Sequence, residues 1–379
     1  MFTQMGGDIQ CETWFEKTFG FLELSYADTQ TKFKRMFRES GNVELNGILC
    51  GQFDIIDGNK FSFTSNQFVK KRIEYVDRSG NIVVEYLGGV VEFENIIADI
   101  KTIHANKNLS HNSTIQVASQ FNCLEMIDPS KTPEDGITIY QKDKTQGPIC
   151  AMSAPAGLAY RNYLLNGGQT SRYQIDMTAN LLAYLRTIDK EITWRMQNGY
   201  LMFDDSSQLK KINKALLTSS NVRKTARKYI QSGSHSNQGV CIDGQKLDHF
   251  VNHVYCSGLP IAYNNLPKDL WDGLSELFLE AMYENTLLIA CENNKRSGQN
   301  RPCYLTKIGG GVFGMKPSQI ARAIQRACQI TASRGLILSV KLVHYEHIEK
   351  GYDILPLYPV QEVAVNSVWD DIKWIKNAI

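Results

Sequence analysis

Two stretches of this 379-residue chain carry residue types that could do chemistry. The first is Gly309-Gly310-Gly311-Val312-Phe313-Gly314. Glycines let a backbone approach a ligand and turn its N–H groups inward, and a following helix N-terminus adds partial positive charge. Such a loop is an anion cradle, and diphosphate is its usual guest. It lacks the Lys-Ser/Thr of a P-loop and the G-x-G-x-x-G spacing of a dinucleotide fingerprint. A bare triple glycine is also what a tight structural turn would use. The second stretch holds Asp135 and Asp143, two carboxylates eight residues apart that flank Ile137-Thr138-Ile139-Tyr140. They sit in a loop-like segment from Asp128 to Gly147, and a loop this long in a compact domain is usually functional.

Regular elements must position both. Leu287 to Cys291 reads as a short buried strand, and Cys303 to Ile308 as a second one that empties into the glycines. Pro317 suits the first turn of a helix, Ile320, Ile324, Ala327 and Cys328 repeat at helical spacing, and Gly335 stops it. Leu336 to His344 is a third strand. Ser113 to Phe121 predicts a buried strand ending in Ser119, Gln120 and Asn122. Small polar side chains at a strand's carboxyl end are where open α/β sheets bind ligands. Helices are expected over Ala179–Lys190, Ser207–Leu217 and Leu270–Tyr283, strands over Tyr200–Phe203 and His249–Tyr263, and a polar loop over Ser232–Asn237. This alternation predicts an α/β fold, a three-layer α/β/α sandwich over residues 113–347. Residues 1–112 read as an N-terminal α+β module packed on that core. It has short helices over 12–21 and 29–39, strand pieces at 47–54, 60–63 and 81–86, a turn at 78–81 and a helix over Phe93–His104. Residues 348–379 read as a closing strap with a helix at 368–377.

Composition excludes several classes. With 43% hydrophobic and 21% charged residues the chain reads as a soluble globular protein. Forty-one basic against 39 acidic residues leave a net charge of +2, no basis for a global grip on nucleic acid. No run approaches the roughly 18 apolar residues of a membrane span, and no signal peptide is visible. The nine scattered cysteines lack C-x-x-C spacing, so they are expected reduced and buried, as in the cytosol or nucleus.

The glycine loop and its flanks carry a resemblance. Leu305-Thr306-Lys307-Ile308-Gly309-Gly310-Gly311-Val312-Phe313-Gly314, then a helix and a Val/Leu strand, resembles the closing unit of a macrodomain. Gln116-Val117-Ala118-Ser119-Gln120-Phe121-Asn122-Cys123-Leu124-Glu125-Met126 resembles the MavL-like, arginine-specific ADP-ribosyl hydrolase branch of that superfamily. Poly(ADP-ribose) glycohydrolases are more distant relatives. The similarity covers about Ser113 to His347. It implies a macrodomain-like fold there, with the glycine loop cradling the diphosphate and distal ribose of ADP-ribose. Further ligand contacts would come from Ser119, Gln120, Phe121, Glu125, Gln146, Gly147 and Ser257, beside Gly309 to Gly314. The implied partner is an ADP-ribosylated protein, with ADP-ribose as ligand or product; no cluster of His, Cys or Asp has clear metal spacing, so no other cofactor and no metal are expected.

Removing ADP-ribose breaks a bond at the anomeric carbon through an oxocarbenium-like transition state, which a carboxylate can stabilise. From arginine the leaving group is guanidinium, and two carboxylates could hold it in bidentate fashion. Asp135 and Asp143 are the expected pair, near Asn122. The GGG-V-x-x-E motif of poly(ADP-ribose) glycohydrolases is missing, because Asn122 is followed by Cys123-Leu124-Glu125. That departure counts against cleavage of polymer chains and leaves Glu125 as a third carboxylate candidate.

Other patterns weigh less. Asp135 fits equally a turn residue before Gly136. His249 and His253 lie four apart without an HExxH motif and read as structural. Ser153 and Ser257 lack a G-x-S-x-G turn. Arg223, Lys224, Arg227 and Lys228 make one basic helix face, a solvated surface before it is a docking face for an acidic protein. Two functions remain open, an ADP-ribosyl hydrolase and a non-catalytic macrodomain reader of ADP-ribose or a related nucleotide; a blander third is a loop for another phosphate compound.

Overall fold

The computed structural model describes residues 12–61, 72–76, 82–86 and 89–352, with residues 72–76 and 82–86 described by their strands alone. The turn expected at 78–81, the helix at 368–377 and most of the 348–379 strap lie outside the described residues.

Seven strands form the central sheet: β1 (Gln52–Asp57), β2 (Val91–Ile97), β3 (Thr114–Ala118), β4 (Gln231–Ile242), β5 (Gln245–Cys256), β6 (Cys303–Leu305) and β7 (Leu338–His344). Their order is β1-β4-β5-β3-β6-β7-β2. The run from β5 to β2 is parallel, and β4 joins β1 and β5 antiparallel. Both edge strands come from before residue 113, so the sheet itself draws on the segment read from sequence as an N-terminal module.

The principal helices are α1 (Trp14–Phe19), α2 (Tyr26–Glu39), α3 (Ile100–Ala105), α4 (Gln146–Ser153), α5 (Ser220–Lys228), α6 (Asp272–Ser297) and α7 (Pro317–Ser333). Strand alternation sorts the two faces of the sheet. Gln116 of β3 donates to Thr286 of α6 at 2.8 Å, and the Cys256 sulfur of β5 lies 3.4 Å from the same hydroxyl. The adjacent His253 and Tyr255 point the other way, to His104 of α3 and to Arg161. Helices therefore cover both faces, and the three-layer α/β/α sandwich expected from the sequence is what the chain forms. On the second face α4 comes so close to β3 that a Cβ on Gly147 would collide with the Ala118 carbonyl. A separate core, built on Phe15, Phe19, Phe33 and Tyr163, joins α1 and α2 to the segment that follows β3.

Three local expectations are corrected. Leu287–Cys291 is not a strand but the middle of α6, where every residue from Asn285 to Cys291 is buried. A helix enclosed on all sides is apolar all round, and over five residues that is indistinguishable from a buried strand. Phe93–His104 divides into β2 and α3, separated by Asp99, whose carboxylate caps the Lys101 N–H at 2.7 Å. Ser232–Asn237 is not a loop but part of β4. Its small polar side chains pack inward; Ser232, for example, lies against the Met282 sulfur and the Asn285 amide of α6.

Candidate functional site

The parallel strands β5, β3 and β6 end side by side at Cys256, Ala118 and Leu305. From β3 the chain goes to one side, to β4 and β5, and then crosses through α6 to β6 on the other. Open α/β sheets take their ligands in the crevice at such a reversal. Three loops meet there. Ser119 N–H donates to the Cys256 carbonyl at 2.9 Å and Ala262 N–H to the Phe313 carbonyl at 3.0 Å. Gly258 and Gly309 lie back to back: a Cβ on Gly258 would stand 2.7 Å from the Gly309 Cα.

The glycine loop is shaped by Gly309 (φ +70°) and Gly314 (φ +79°), both in the left-handed region that glycine reaches without steric cost. Gly310 N–H closes onto the Lys307 carbonyl, Gly314 N–H onto Gly311, and Met315 N–H onto Gly309, at 3.0–3.1 Å. The N–H groups of Gly311, Val312 and Phe313 donate to no acceptor among the described residues. Three consecutive uncommitted donors, shortly before α7 begins at Pro317, suit an anion. Around them stand three rings. Tyr200, Tyr263 and Phe313 have centroids 5.5, 5.6 and 5.8 Å apart. The Tyr200 hydroxyl also meets the Gln120 amide at 3.3 Å, which ties the loop after β3 to this mouth.

Carboxylates lie within electrostatic reach of the rings. Burial raises the Tyr200 and Tyr263 hydroxyls above the usual range, and the charges of Asp128 and Asp143 raise both further. Asp143 accepts the Thr145 N–H at 2.8 Å. Asp128 accepts from the Ser130 hydroxyl and N–H, which hold it below the usual carboxylate range. Asp135 closes its own turn. One oxygen accepts the Thr132 N–H at 2.8 Å and hydroxyl at 3.0 Å, and Lys131 pairs with the other at 3.5 Å; the Thr132 N–H leads in holding it low. Asp135 is near enough to Asp128 to oppose its ionisation. Asp128 was missed by sequence reasoning, since Asp-Pro-Ser reads only as a turn, and nothing around Tyr200 or Tyr263 marked them.

Other expected site residues form the frame of the crevice. Asn122 is buried, donating to Gln174 at 2.8 Å and accepting from Leu124 N–H at 3.0 Å. Phe121 packs on Phe278 in the core. Gln146 caps β3, accepting the Ala118 N–H at 2.9 Å and donating to the Gln116 carbonyl at 2.7 Å. The Ser119 and Ser257 hydroxyls donate to the carbonyls of Gln120 and Gly258. Glu125 is enclosed with Arg161, whose guanidinium also reaches the Cys123 carbonyl at 2.9 Å and the Tyr255 hydroxyl.

Beside the carboxylate loop lies a polar cleft of about 430 Å³, lined by residues that include Arg172, Gln174, Asp176 and Arg195. Asn198 on its rim donates to the Pro129 carbonyl at 2.8 Å.

The remaining candidates are structural. His249 and His253 are buried in β5; His253 meets His104 at 2.9 Å and His249 meets Ser110 at 3.0 Å. Burial pushes His104 down to about 4. On the basic face of α5 the two arginines turn to the neighbouring helix, while Lys228 is exposed. Arg223 and Arg227 bind Glu280 of α6 at 2.7 and 3.2 Å, while Arg326 and Arg334 bind Glu284 at 2.9 and 3.1 Å. The network ties α5, α6 and α7 together.

No family model and no curated protein matches the sequence. Among solved structures, the chain is similar to a poly(ADP-ribose) glycohydrolase from Thermomonospora curvata, at 12% identity over 74% of this chain and 90% of that one, TM-score 0.36. It is similar to the apo poly(ADP-ribose) glycohydrolase of Deinococcus radiodurans at 10% identity, 67% and 75% coverage and TM-score 0.31. A complex of the Deinococcus protein with ADP-ribose aligns over 32% of this chain and 48% of that one, at 16% identity and TM-score 0.25.

Proposed function

We propose that this protein is an ADP-ribosyl hydrolase that releases ADP-ribose from modified protein side chains, with arginine as the linkage. What supports the reading is the run of uncommitted Gly311–Phe313 N–H groups beside the Tyr200, Tyr263 and Phe313 rings, with Asp128 and Asp143 close enough for their charges to act on the Tyr200 and Tyr263 hydroxyls. The donors suit a diphosphate, the rings of Tyr200, Tyr263 and Phe313 suit the flat or apolar faces of a nucleotide, and the carboxylates suit a cation. The motif resemblance at residues 116–126 and 305–314 selects ADP-ribose among phosphate ligands and arginine among acceptors.

In this reading the bond between the anomeric carbon and the guanidino nitrogen breaks as a water oxygen adds to that carbon. One water proton passes, by way of a carboxylate, to the departing guanidine, which leaves as guanidinium. Asp143 and Asp128 attract the leaving group and help offset the positive charge of the transition state. The polar cleft next to Pro129 offers room for the polypeptide that carries the modified side chain. Incubation with protein ADP-ribosylated on arginine tests this, with released ADP-ribose as the readout. The reader alternative is favoured by one observation, that Asp135 is committed to its own turn. Tight ADP-ribose binding by calorimetry without any release would decide for it.

A further inference from the structure

The carboxylate loop is clamped from behind by a residue far upstream, Glu23. One oxygen of its carboxylate accepts the Ile137 N–H at 2.8 Å, and the other accepts the Thr138 N–H at 2.6 Å. The Tyr163 hydroxyl donates to Glu23 at 2.5 Å, and the Trp14 indole donates to the Thr138 carbonyl at 3.1 Å. Gly136 leaves room for the clamp: its φ is +81°, and a Cβ there would stand 2.5 Å from the Glu23 carboxylate.

The clamp grips the junction of two short turns, Pro133–Asp135 and Thr138–Lys142. Asp135 ends the first and Asp143 follows the second, so the placement of both carboxylates is referred to this junction. Hydrogen bonds from backbone N–H groups to a carboxylate are about twice as strong as neutral ones. Behind Glu23 stands the core of Phe15, Phe19, Phe33 and Tyr163, a firm backing for the clamp.

We propose that Glu23 is a positioning residue of the hydrolase site, holding the carboxylate loop at the height where Asp143 meets the leaving group. This role rests on the hydrolase reading. Glu23 touches no substrate; it acts through the Ile137 and Thr138 peptides. Misplacing a reacting group by about 1 Å can cost on the order of a hundredfold in rate.

The test is Glu23→Gln in the full chain, a change of equal size in which an amide NH2 faces a backbone N–H where an oxygen accepted it. With arginine-ADP-ribosylated peptide, kcat is expected to fall roughly tenfold to a hundredfold, while the dissociation constant of ADP-ribose, measured by calorimetry, stays at the parent value. A merely structural role would weaken ADP-ribose binding along with kcat. Unchanged kcat, or a parallel loss of affinity, overturns the proposal. If Glu23→Gln fails to fold, Tyr163→Phe, which removes one of the three bonds to Glu23, decides: a smaller fall in kcat at constant affinity supports the role, and unchanged kcat overturns it. A parent protein inactive on every linkage refutes the hydrolase reading itself, and this role with it.

Discussion

Glu125 and Arg161 face each other at 3.4 Å with 0% exposure on either side chain. Removing Arg161 strips the buried Glu125 carboxyl, the Cys123 carbonyl and the Tyr255 hydroxyl of their common partner. Arg161→Ala is expected to cost about 3–5 kcal/mol of stability, read as a shift in the urea midpoint; a change within about 0.5 kcal/mol, as at an ordinary surface site, refutes the pairing.

The same pair gives a pH signature. Burial pushes Glu125 up from its ordinary 4.5 to about 7, against the pull of Arg161. The folded state then holds this proton more tightly than the unfolded chain does. Its contribution to stability is fully present below 4.5, is lost as pH rises toward 7 and stays constant above. Glu125→Gln removes that slope. Urea unfolding across the window should show the parent losing stability relative to the variant as pH rises, and a pH-independent gap between them would sink the assignment.

The glycine loop separates fold from ligand. Gly309 has positive φ, and its Cβ would stand 2.5 Å from the Met315 sulfur. Gly309→Ala should cost on the order of 1–3 kcal/mol. At Gly310 a Cβ would press on Ile320 at 3.1 Å, which mixes packing with binding, whereas at Gly311 nothing lies within 4 Å. Gly311→Glu should keep the parent's melting temperature and lower ADP-ribose affinity about tenfold or more, by repulsion and lost access to the N–H groups. Parental affinity by calorimetry would remove the cradle from the site.

Asp143→Ala and Asp128→Ala should each reduce turnover of arginine-linked ADP-ribose by roughly a hundredfold with little change in ADP-ribose affinity. Ester-linked substrates should be less affected, because their leaving group is not a cation. Asp135→Ala removes a turn cap, so its expected effect includes a loss of about 1 kcal/mol in stability. If all three variants keep full rates, the leaving-group contact lies elsewhere.

Exhaustive chelation should leave activity unchanged, since the proposed chemistry runs on carboxylates. Loss in EDTA with recovery in magnesium would point instead to a metal-dependent hydrolase.

The sequence made the α/β alternation legible at its end, because α7 carries a clean helical period with Pro317 at its start and Gly335 just past its stop, and β7 alternates buried and half-buried residues. It misled at Leu287–Cys291, where burial on every side erased the periodicity that distinguishes helix from strand. The crevice was half legible. The glycines announced the loop, but whether a carboxylate faces it depends on which backbone N–H groups its oxygens satisfy. Asp135 differs from Asp143 through Thr132 and Lys131, a distinction no local pattern encodes. Glu23 lies more than a hundred residues from Ile137 and Thr138, so nothing in its own neighbourhood marks it.

The buried thiols have a practical consequence. All eight described cysteines are free and buried, and burial raises their pKa, so in the folded chain they are poorly disposed to react as thiolates. They also sort by core. Cys50 and Cys241 belong to the one built on α1 and α2, while Cys123, Cys150, Cys256, Cys291, Cys303 and Cys328 belong to the main one. Alkylation followed by peptide mapping would therefore time the opening of each core separately, with no introduced probe. It would tell whether the backing of Glu23 breathes on its own or only when the whole sheet comes apart.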